Sequence, residues 1–265
     1  MSFDTLGLYE PILKALKHKG YKEPSPIQAK AIPAILERRD VMAAAQTGTG
    51  KTASFILPIL HMLSNPKHQF KGNTLRALVV TPTRELAAQV RESAVTYGRN
   101  LNLKSTAIYG GTSVRNQKKV LRRGIDILVA TPGRLLDLYN QKSIDFSKIE
   151  ILVLDEADQM LDMGFINDIK KIIRLLPDRR QNLMFTATFS DPFRALANKF
   201  SYKPIEISVT KDNETAKNIE HYIHPVETSR KSELLVYLIK KEKWKQALVF
   251  TRTKHGANRL TKKLI

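Results

Sequence analysis

Residues 151–158 read Ile151-Leu152-Val153-Leu154-Asp155-Glu156-Ala157-Asp158, an apolar run that delivers two adjacent carboxylates and a third two positions on. The run is short, wholly apolar and partly β-branched. It therefore predicts a buried parallel strand whose C-terminal end opens into the crevice of an α/β sheet. Carboxylates gathered at such a strand end are costly unless a cation meets them. A bound Mg²⁺ would take the charge of Asp155 and leave Glu156 to orient or deprotonate a water. Taken alone, an Asp-Glu pair after a strand reads more readily as a solvated acidic turn. Residues 43–52 decide against that.

They read Ala43-Ala44-Ala45-Gln46-Thr47-Gly48-Thr49-Gly50-Lys51-Thr52 and lead into the apolar Ala53-Ser54-Phe55-Ile56-Leu57. This is the pattern of a phosphate-binding loop. Its glycines let backbone N–H groups turn inward around phosphate oxygens, and the following helix N-terminus adds positive potential. Lys51 reaches the β- and γ-phosphates and Thr52 offers a hydroxyl to Mg²⁺. The strict pattern has Gly where Ala45 stands, so the loop alone is a variant. A Gly-rich turn without a ligand is its bland reading. The carboxylate strand downstream makes the phosphate reading the stronger one.

Composition bounds the rest. The chain has 265 residues, more than one typical domain, and its 42% hydrophobic content is enough for a sizeable core. Lys and Arg number 44 against 25 Asp and Glu, a formal charge of +19, which makes polyanions the natural partners. Charge alone does not separate RNA, DNA, ribosome and anionic membrane. There is no cysteine, which excludes a disulfide framework, and the 6 His lack metal-ligand spacing. No apolar run approaches a membrane span and Met1-Ser2-Phe3-Asp4 carries no secretory pattern, so no membrane partner and cytoplasmic residence are expected.

Apolar runs alternate with amphipathic stretches. Strands are expected over 40–44, 76–81, 104–109, 125–130, 151–154, 182–186 and 204–209, and helices between them, as over 84–100, 113–123 and 165–176. Such alternation predicts an α/β fold, a mainly parallel sheet covered by helices on both faces. The first domain is expected over 1–210 and a polar linker over 211–217. Beyond it come a strand (219–226), a helix (229–241), a strand (247–251) and a helix from Lys254. Residues 218–265 are read as the opening of a second α/β domain whose remainder is absent, since two strands and two helices cannot close a sheet core.

Together these motifs closely resemble the DEAD-box RNA helicases of helicase superfamily 2, and within them the bacterial RhlE-type group. Asp155-Glu156-Ala157-Asp158 is the tetrapeptide that names the family, and Ala45 to Thr52 is its usual phosphate loop. Gly20-Tyr21-Lys22-Glu23-Pro24-Ser25-Pro26-Ile27-Gln28 is similar to its Q motif, with Phe3 upstream where the family has an isolated aromatic. Pro82-Thr83-Arg84-Glu85-Leu86-Ala87, Gly110-Gly111 and Thr131-Pro132-Gly133-Arg134 follow in family order. The resemblance spans residues 3–265 and implies a RecA-like P-loop NTPase domain, then the start of a second RecA-like domain. Two departures stand out. Thr186-Ala187-Thr188 replaces the usual Ser-Ala-Thr and keeps the hydroxyl. The family's later motifs, including the one that supplies an arginine finger, have no counterpart before Ile265.

The resemblance implies an ATP-dependent RNA helicase using ATP and Mg²⁺, with this fragment expected to bind ATP but not to unwind alone. Gln28 would read the adenine edge, its amide offering one donor and one acceptor. Phe3 would stack on the purine or simply anchor the N-terminus in the core. Asp158 is expected to partner the Thr186 or Thr188 hydroxyls and so couple nucleotide state to domain closure. Pro82, Thr83, Arg84, Gly110, Gly111, Thr131, Pro132, Gly133 and Arg134 would form a sugar-phosphate track, each sitting just beyond a strand. Individually each is an ordinary turn or helix cap. RNA would then be held by its backbone, with little sequence preference and with 2′-hydroxyls separating it from DNA. The ribosome or the RNA-degradation machinery are the protein-side candidates. A different P-loop NTPase, such as a DNA translocase, and a non-enzymatic RNA-binding fragment are the competing classes.

Overall fold

The computed structural model describes residues 2–46, 48–65, 74–209, 220 and 222–264. A 3₁₀ turn (Phe3–Leu6) leads into α1 (Glu10–His18) and α2 (Pro26–Leu36). Then follow β1 (Val41–Ala44), α3 (Lys51–Leu63), β2 (Ala77–Val80), α4 (Arg84–Tyr97), β3 (Ser105–Ile108), α5 (Val114–Leu121) and β4 (Ile127–Ala130). The chain continues through α6 (Pro132–Asn140), β5 (Ile151–Leu154), α7 (Ala157–Asp162), α8 (Ile166–Leu175), β6 (Gln181–Thr186), α9 (Asp191–Phe200) and β7 (Ile205–Ser208). Two further helices are α10 (Lys231–Lys241) and α11 (Lys254–Leu264).

The seven strands form one sheet in the order β3-β4-β2-β5-β6-β1-β7. Every pairing is parallel. All residues of β1, β2, β4, β5 and β6 are buried, whereas the edge strands β3 and β7 are partly exposed. That is why the inner strands read as continuous apolar runs. Alternate residues serve opposite faces. Val41, Ala43, Val79, Val129, Val153 and Phe185 pack into one core with α1 to α4. Met42, Leu78, Leu128, Leu152, Leu154 and Met184 enter the other, with residues of α6 to α9. The expected α/β class and the expected first seven strands are present, shifted by a residue or two at their ends.

The chain divides into two compact units, Met1–Asp212 and Asn213–Ile265. The expected linker, 211–217, lies outside the described residues. In the second unit α10 and α11 form as expected, but the described residues of 219–226 and all of 247–251 carry no strand. The physical reason is the missing partner. A parallel strand exists through its ladder, and among the described residues no neighbour pairs with either segment. Ile223, Leu248 and Phe250, which would face a sheet core, are exposed.

One buried carboxylate ties the sheet together. Asp40, just before β1, accepts hydrogen bonds from the Asn182 backbone N–H (2.7 Å), the Asn182 Nδ2 (3.1 Å) and the Tyr202 N–H (2.8 Å). It thus joins β1, β6 and the turn into β7. Replacing it leaves three donors without their acceptor, and for the two from buried Asn182 each unpaired group costs about 1–3 kcal/mol. Asp40→Ala is expected to lower unfolding stability by roughly 2–5 kcal/mol, read by urea denaturation. A loss below about 1 kcal/mol would show that the three donors find water instead.

Candidate functional site

The loop after β1 is shaped by its two glycines. Gly48 and Gly50 both have left-handed backbone, φ 84° and 92°. At Gly50 a Cβ would in addition stand 2.3 Å from Gln28 Nε2, so any side chain there would displace the Gln28 amide. Thr49 closes the turn by donating its hydroxyl to the Gln46 carbonyl at 2.7 Å; Thr47 lies outside the described residues. Ala45 is fully buried and its N–H donates to the Thr186 carbonyl at 3.1 Å, which extends the β1–β6 ladder one residue past β1. Gly50 caps α3, so the amides of Lys51, Thr52 and Ala53 have no carbonyl within the helix to donate to. They are the anion donors that the motif promised.

Strand order carries the rest. Because β5, β6 and β1 are neighbours, Lys51, Asp155 and Thr186 meet at one end of the sheet. Lys51 is 6% exposed, and its amine makes a long bond, 3.5 Å, to the Thr186 carbonyl. Asp155 is 3% exposed, and its carboxyl is raised from the ordinary 3.8 to about 7. Burial is the main cause; Lys51 pulls the other way, while Glu156 and Asp158 add to the rise. A carboxylate this poorly compensated suits a cation. Thr52 and Asp155 are the residues that would hold Mg²⁺, an ion that takes one or two carboxylates and keeps waters and phosphate oxygens as its other ligands. Among the described residues no group of three or more His, Cys, Asp or Glu is arranged to hold a metal ion by itself, and such a site needs none. Glu156 is half-buried with φ 52° and ψ 51°. A non-glycine residue is rarely held there without a reason.

Asp158 departs from expectation. Its carboxylate accepts from the Ala187 N–H (3.0 Å) and the Gln159 N–H (3.0 Å), not from the threonine hydroxyls. Thr186 Oγ1 is already spent on its own turn, donating to the Thr188 carbonyl (2.8 Å) and accepting the Thr188 N–H (3.3 Å). The link from α7 to the turn after β6 therefore runs from the Asp158 carboxylate to a backbone amide.

A cleft of about 750 Å³ opens beside the loop, lined by Gln28, Thr49, Lys51, Thr52, Asp155 and Glu156 among others. Gln28 lies in its wall, and both ends of its amide are engaged. Oε1 accepts the Ser25 N–H at 2.9 Å, and Nε2 donates to the Gly50 carbonyl at 3.2 Å. One amide hydrogen and one lone pair remain, and the nearby buried Ser25 hydroxyl has no partner. Phe3 is not in the cleft. It is 4% exposed, packed in the core and edge-on to Tyr21, so of its two readings the anchor is the one realised. Tyr21 lines the cleft instead, its hydroxyl 3.2 Å from that of Tyr97. Burial and that contact push the Tyr97 phenol well above its usual range. Tyr21 stood inside the quoted Gly20–Gln28 run. Leu86, which lines the cleft from α4, stood inside the quoted Pro82–Ala87 run, whereas Gln89 and Tyr97 on the same helix had no local signal.

The other candidates follow β2, β3 and β4, which are adjacent, so their loops share one sheet edge. Pro82 precedes Thr83, which caps α4 by accepting the Leu86 N–H at 3.2 Å, and Arg84 is exposed beside Glu85. Gly111 has φ 79°, and a Cβ there would meet Arg84 Nη1 at 3.4 Å; Gly110 is its unconstrained neighbour. Thr131 and Pro132 begin α6, and Gly133 is exposed. Arg134 is turned inward, its side chain 13% exposed. It donates to the Thr112 carbonyl (3.3 Å) and Gln117 Oε1 (3.0 Å), and Gln117 in turn donates to the Tyr109 carbonyl (3.0 Å). Arg134 thus holds the glycine loop from below, and Gln117, unmarked in the sequence, is its partner.

Known proteins agree with these features. Residues 25–196 match the family described as DEAD/DEAH box helicase. The DEAD-box ATP-dependent RNA helicase RhpA of Helicobacter pylori is 42% identical over 259 residues, 98% of this chain and 51% of that protein. The ATP-dependent RNA helicase CshA of Listeria monocytogenes is 40% identical over 262 residues, 99% of this chain and 49% of that protein. A crystal structure of a DEAD box protein from the hyperthermophile Methanococcus jannaschii superposes with TM-score 0.74 at 36% identity, over 100% of this chain and 70% of that one. The chain spans about half the length of the curated relatives it matches. No helix among the described residues is long and apolar enough to cross a membrane.

The Asp155 carboxyl gives a test without ligand. In the unfolded chain it loses its proton near 3.8, in the folded one near 7. The folded state therefore holds the extra proton between those values, and rising pH across that window favours unfolding. Asp155→Asn removes the penalty. The variant should melt several degrees above wild type at about pH 8 and close to it at about pH 4. Equal melting temperatures at both would mean that Lys51 already compensates the charge.

Proposed function

Because this chain belongs to the DEAD/DEAH box helicase family, we propose that it binds ATP with Mg²⁺ in the cleft beside β1 and β5 and, within the whole protein, hydrolyses it to remodel RNA. The observation that supports this best is the convergence of Lys51, Thr52, Asp155, Glu156 and the left-handed glycine loop at the ends of three adjacent strands. The resemblance to an RhlE-type group is a finer reading, and the relatives carry other names, RhpA and CshA.

In this reading the free amides after Gly50 and the Lys51 amine bind the triphosphate, whose negative charge replaces the thin partnership of Lys51 with Thr186. Thr52 and Asp155 hold Mg²⁺, which when bound neutralises charge on the phosphates. Glu156 orients the attacking water and takes its proton. Its strained backbone at the head of α7 fixes where that carboxylate points. Gln28 presents its spare N–H and lone pair to the adenine edge, and Tyr21 offers an aromatic surface in the same cleft. RNA lies along the loops after β2, β4 and β3, held through its phosphates by exposed Arg84 and backbone N–H groups, with little sequence preference. Cytoplasmic residence accompanies this reading.

Two measurements bear on it. The chain should bind ATP with Mg²⁺ more tightly than GTP, because the wrong purine edge would leave a buried amide unpaired at about 1–3 kcal/mol. Gln28→Ala should narrow the gap about tenfold in titrations. Equal ATP and GTP affinity in the wild type would remove adenine reading from Gln28. In a protein of the relatives' full length, Glu156→Gln should retain ATP affinity and lose hydrolysis by roughly 10²-fold or more in single-turnover assays. Near-normal turnover would assign the water to another group.

A further inference from the structure

Helix α5 carries Arg115, Lys118 and Lys119, and Arg122 and Arg123 continue it. At about 100° per residue these five side chains fall within roughly 140° of arc. Val114, Gln117 and Leu121 occupy the opposite side and anchor the helix, the two apolar residues against the core and Gln117 through its bonds to Arg134 and Tyr109. Arg115, Lys119, Arg122 and Arg123 are exposed and Lys118 is partly so. Among the described residues none of the five has an ion-pair partner. From Ser93 to Ile125 the sequence also holds Arg99 and Lys104 and no carboxylate.

The side-chain repulsion within the cluster opposes the helix. Arg115 with Lys119, Lys118 with Arg122, and Arg115 with Lys118 are like charges one turn apart, and Arg115 also meets the helix N-terminus, whereas Lys118 and Lys119 in the last turn gain from the helix dipole. Elsewhere the chain mixes signs, as in Glu10 with Lys14 and Asp168 with Lys171. A stripe kept at a cost and tied rigidly to the Gly110–Thr112 loop points to an anion that arrives from outside.

Resting on the reading of the strand-end loops as an RNA track, we propose that the exposed face of α5 is a second RNA-backbone surface, which binds the strand as it leaves that track over the β3 edge of the sheet. The loop before α5 ends the track, and the helix runs from that loop back along the edge, with a cationic rung about every 5.4 Å. Flexible lysines and arginines without aromatic neighbours on the face suit phosphate charge rather than bases.

The test measures binding of this chain to a short single-stranded RNA that reaches only the loops and to a longer one, across a salt series. Three proteins are compared. They are wild type, Lys119→Gln/Arg122→Gln, and Lys199→Gln/Lys203→Gln, which removes the same charge near β7 at the opposite edge. The stripe variant should bind the longer RNA several-fold more weakly, with a salt slope shallower by about 1.4, while binding the short RNA as wild type does. The opposite-edge variant should match wild type on both, and ATP binding should not change in either. If the stripe variant matches wild type on the longer RNA, or if the opposite-edge variant loses as much, the proposal is overturned and the face is left to solvent or to an acidic protein. If wild type binds neither RNA at low salt, the RNA reading of the loops fails as well, a result distinct from loss of the stripe alone.

Discussion

The pairing of β1 with β6 is the constraint on which the site depends. Its ladder runs from Val41 opposite Leu183 to Ala44 opposite Thr186, and Ala45 prolongs it by one more bond to the Thr186 carbonyl. That carbonyl also receives the Lys51 amine. One strand end thus fixes the start of the phosphate loop and the position of its lysine. Since β6 pairs on its other side with β5, Asp155 arrives within range of the same amine. Asp40 secures the opposite end of the same strands. Nothing in residues 45–52 alone could set these positions, because a loop of small residues takes its shape from what it is tied to.

The inner strands were legible because burial on both faces leaves only apolar residues, and period and length then agree. The loops at their ends were legible because chemistry restricts them: Gly50 takes a left-handed backbone that strains any side chain, and Thr83 caps a helix that needs an acceptor. Legibility failed where a residue's partner is distant in sequence. Phe3 and Tyr21 are both aromatics near the cleft, and only packing decides which one enters the core. Arg134 looks like a phosphate ligand until Gln117 and the Thr112 carbonyl are seen beneath it. Asp158 faces a backbone amide because the Thr186 hydroxyl closes its own turn first. The segment 247–251 is a run apolar up to Thr251, like the inner strands, and 219–226 is rich in apolar and aromatic residues, but composition does not supply the neighbouring strand that a ladder needs.

The site is also where the fold is least at ease. Asp155 keeps its proton to about 7 because burial outweighs the help of Lys51, and Glu156 sits in left-handed backbone that few side chains adopt. Both features lower the stability of the empty protein. Both follow from placing carboxylates at the end of a fully buried strand rather than on a solvated turn. Left-handed backbone occurs also at Arg38, Lys142, Lys203 and Lys243, so it is the buried, poorly compensated Asp155 carboxylate that argues for a function of the charge there.

Two groups proposed to bind ligands already serve the protein. Gln28 holds the Gly50 carbonyl, and Arg134 holds the Thr112 carbonyl, so each binds the loop it adjoins. A ligand that engaged the spare hydrogen-bonding capacity of Gln28 would polarise the bond to Gly50, and Gly50 is the residue that starts α3 and turns its amides toward the cleft. Base recognition and phosphate recognition would then share a hydrogen bond instead of acting as separate pockets. The same logic places Arg134 beneath the glycine loop as its support while exposed Arg84 faces out. Replacing Arg134 would therefore loosen the Gly110–Thr112 loop and α5 together, because Gln117 joins both to the same guanidinium.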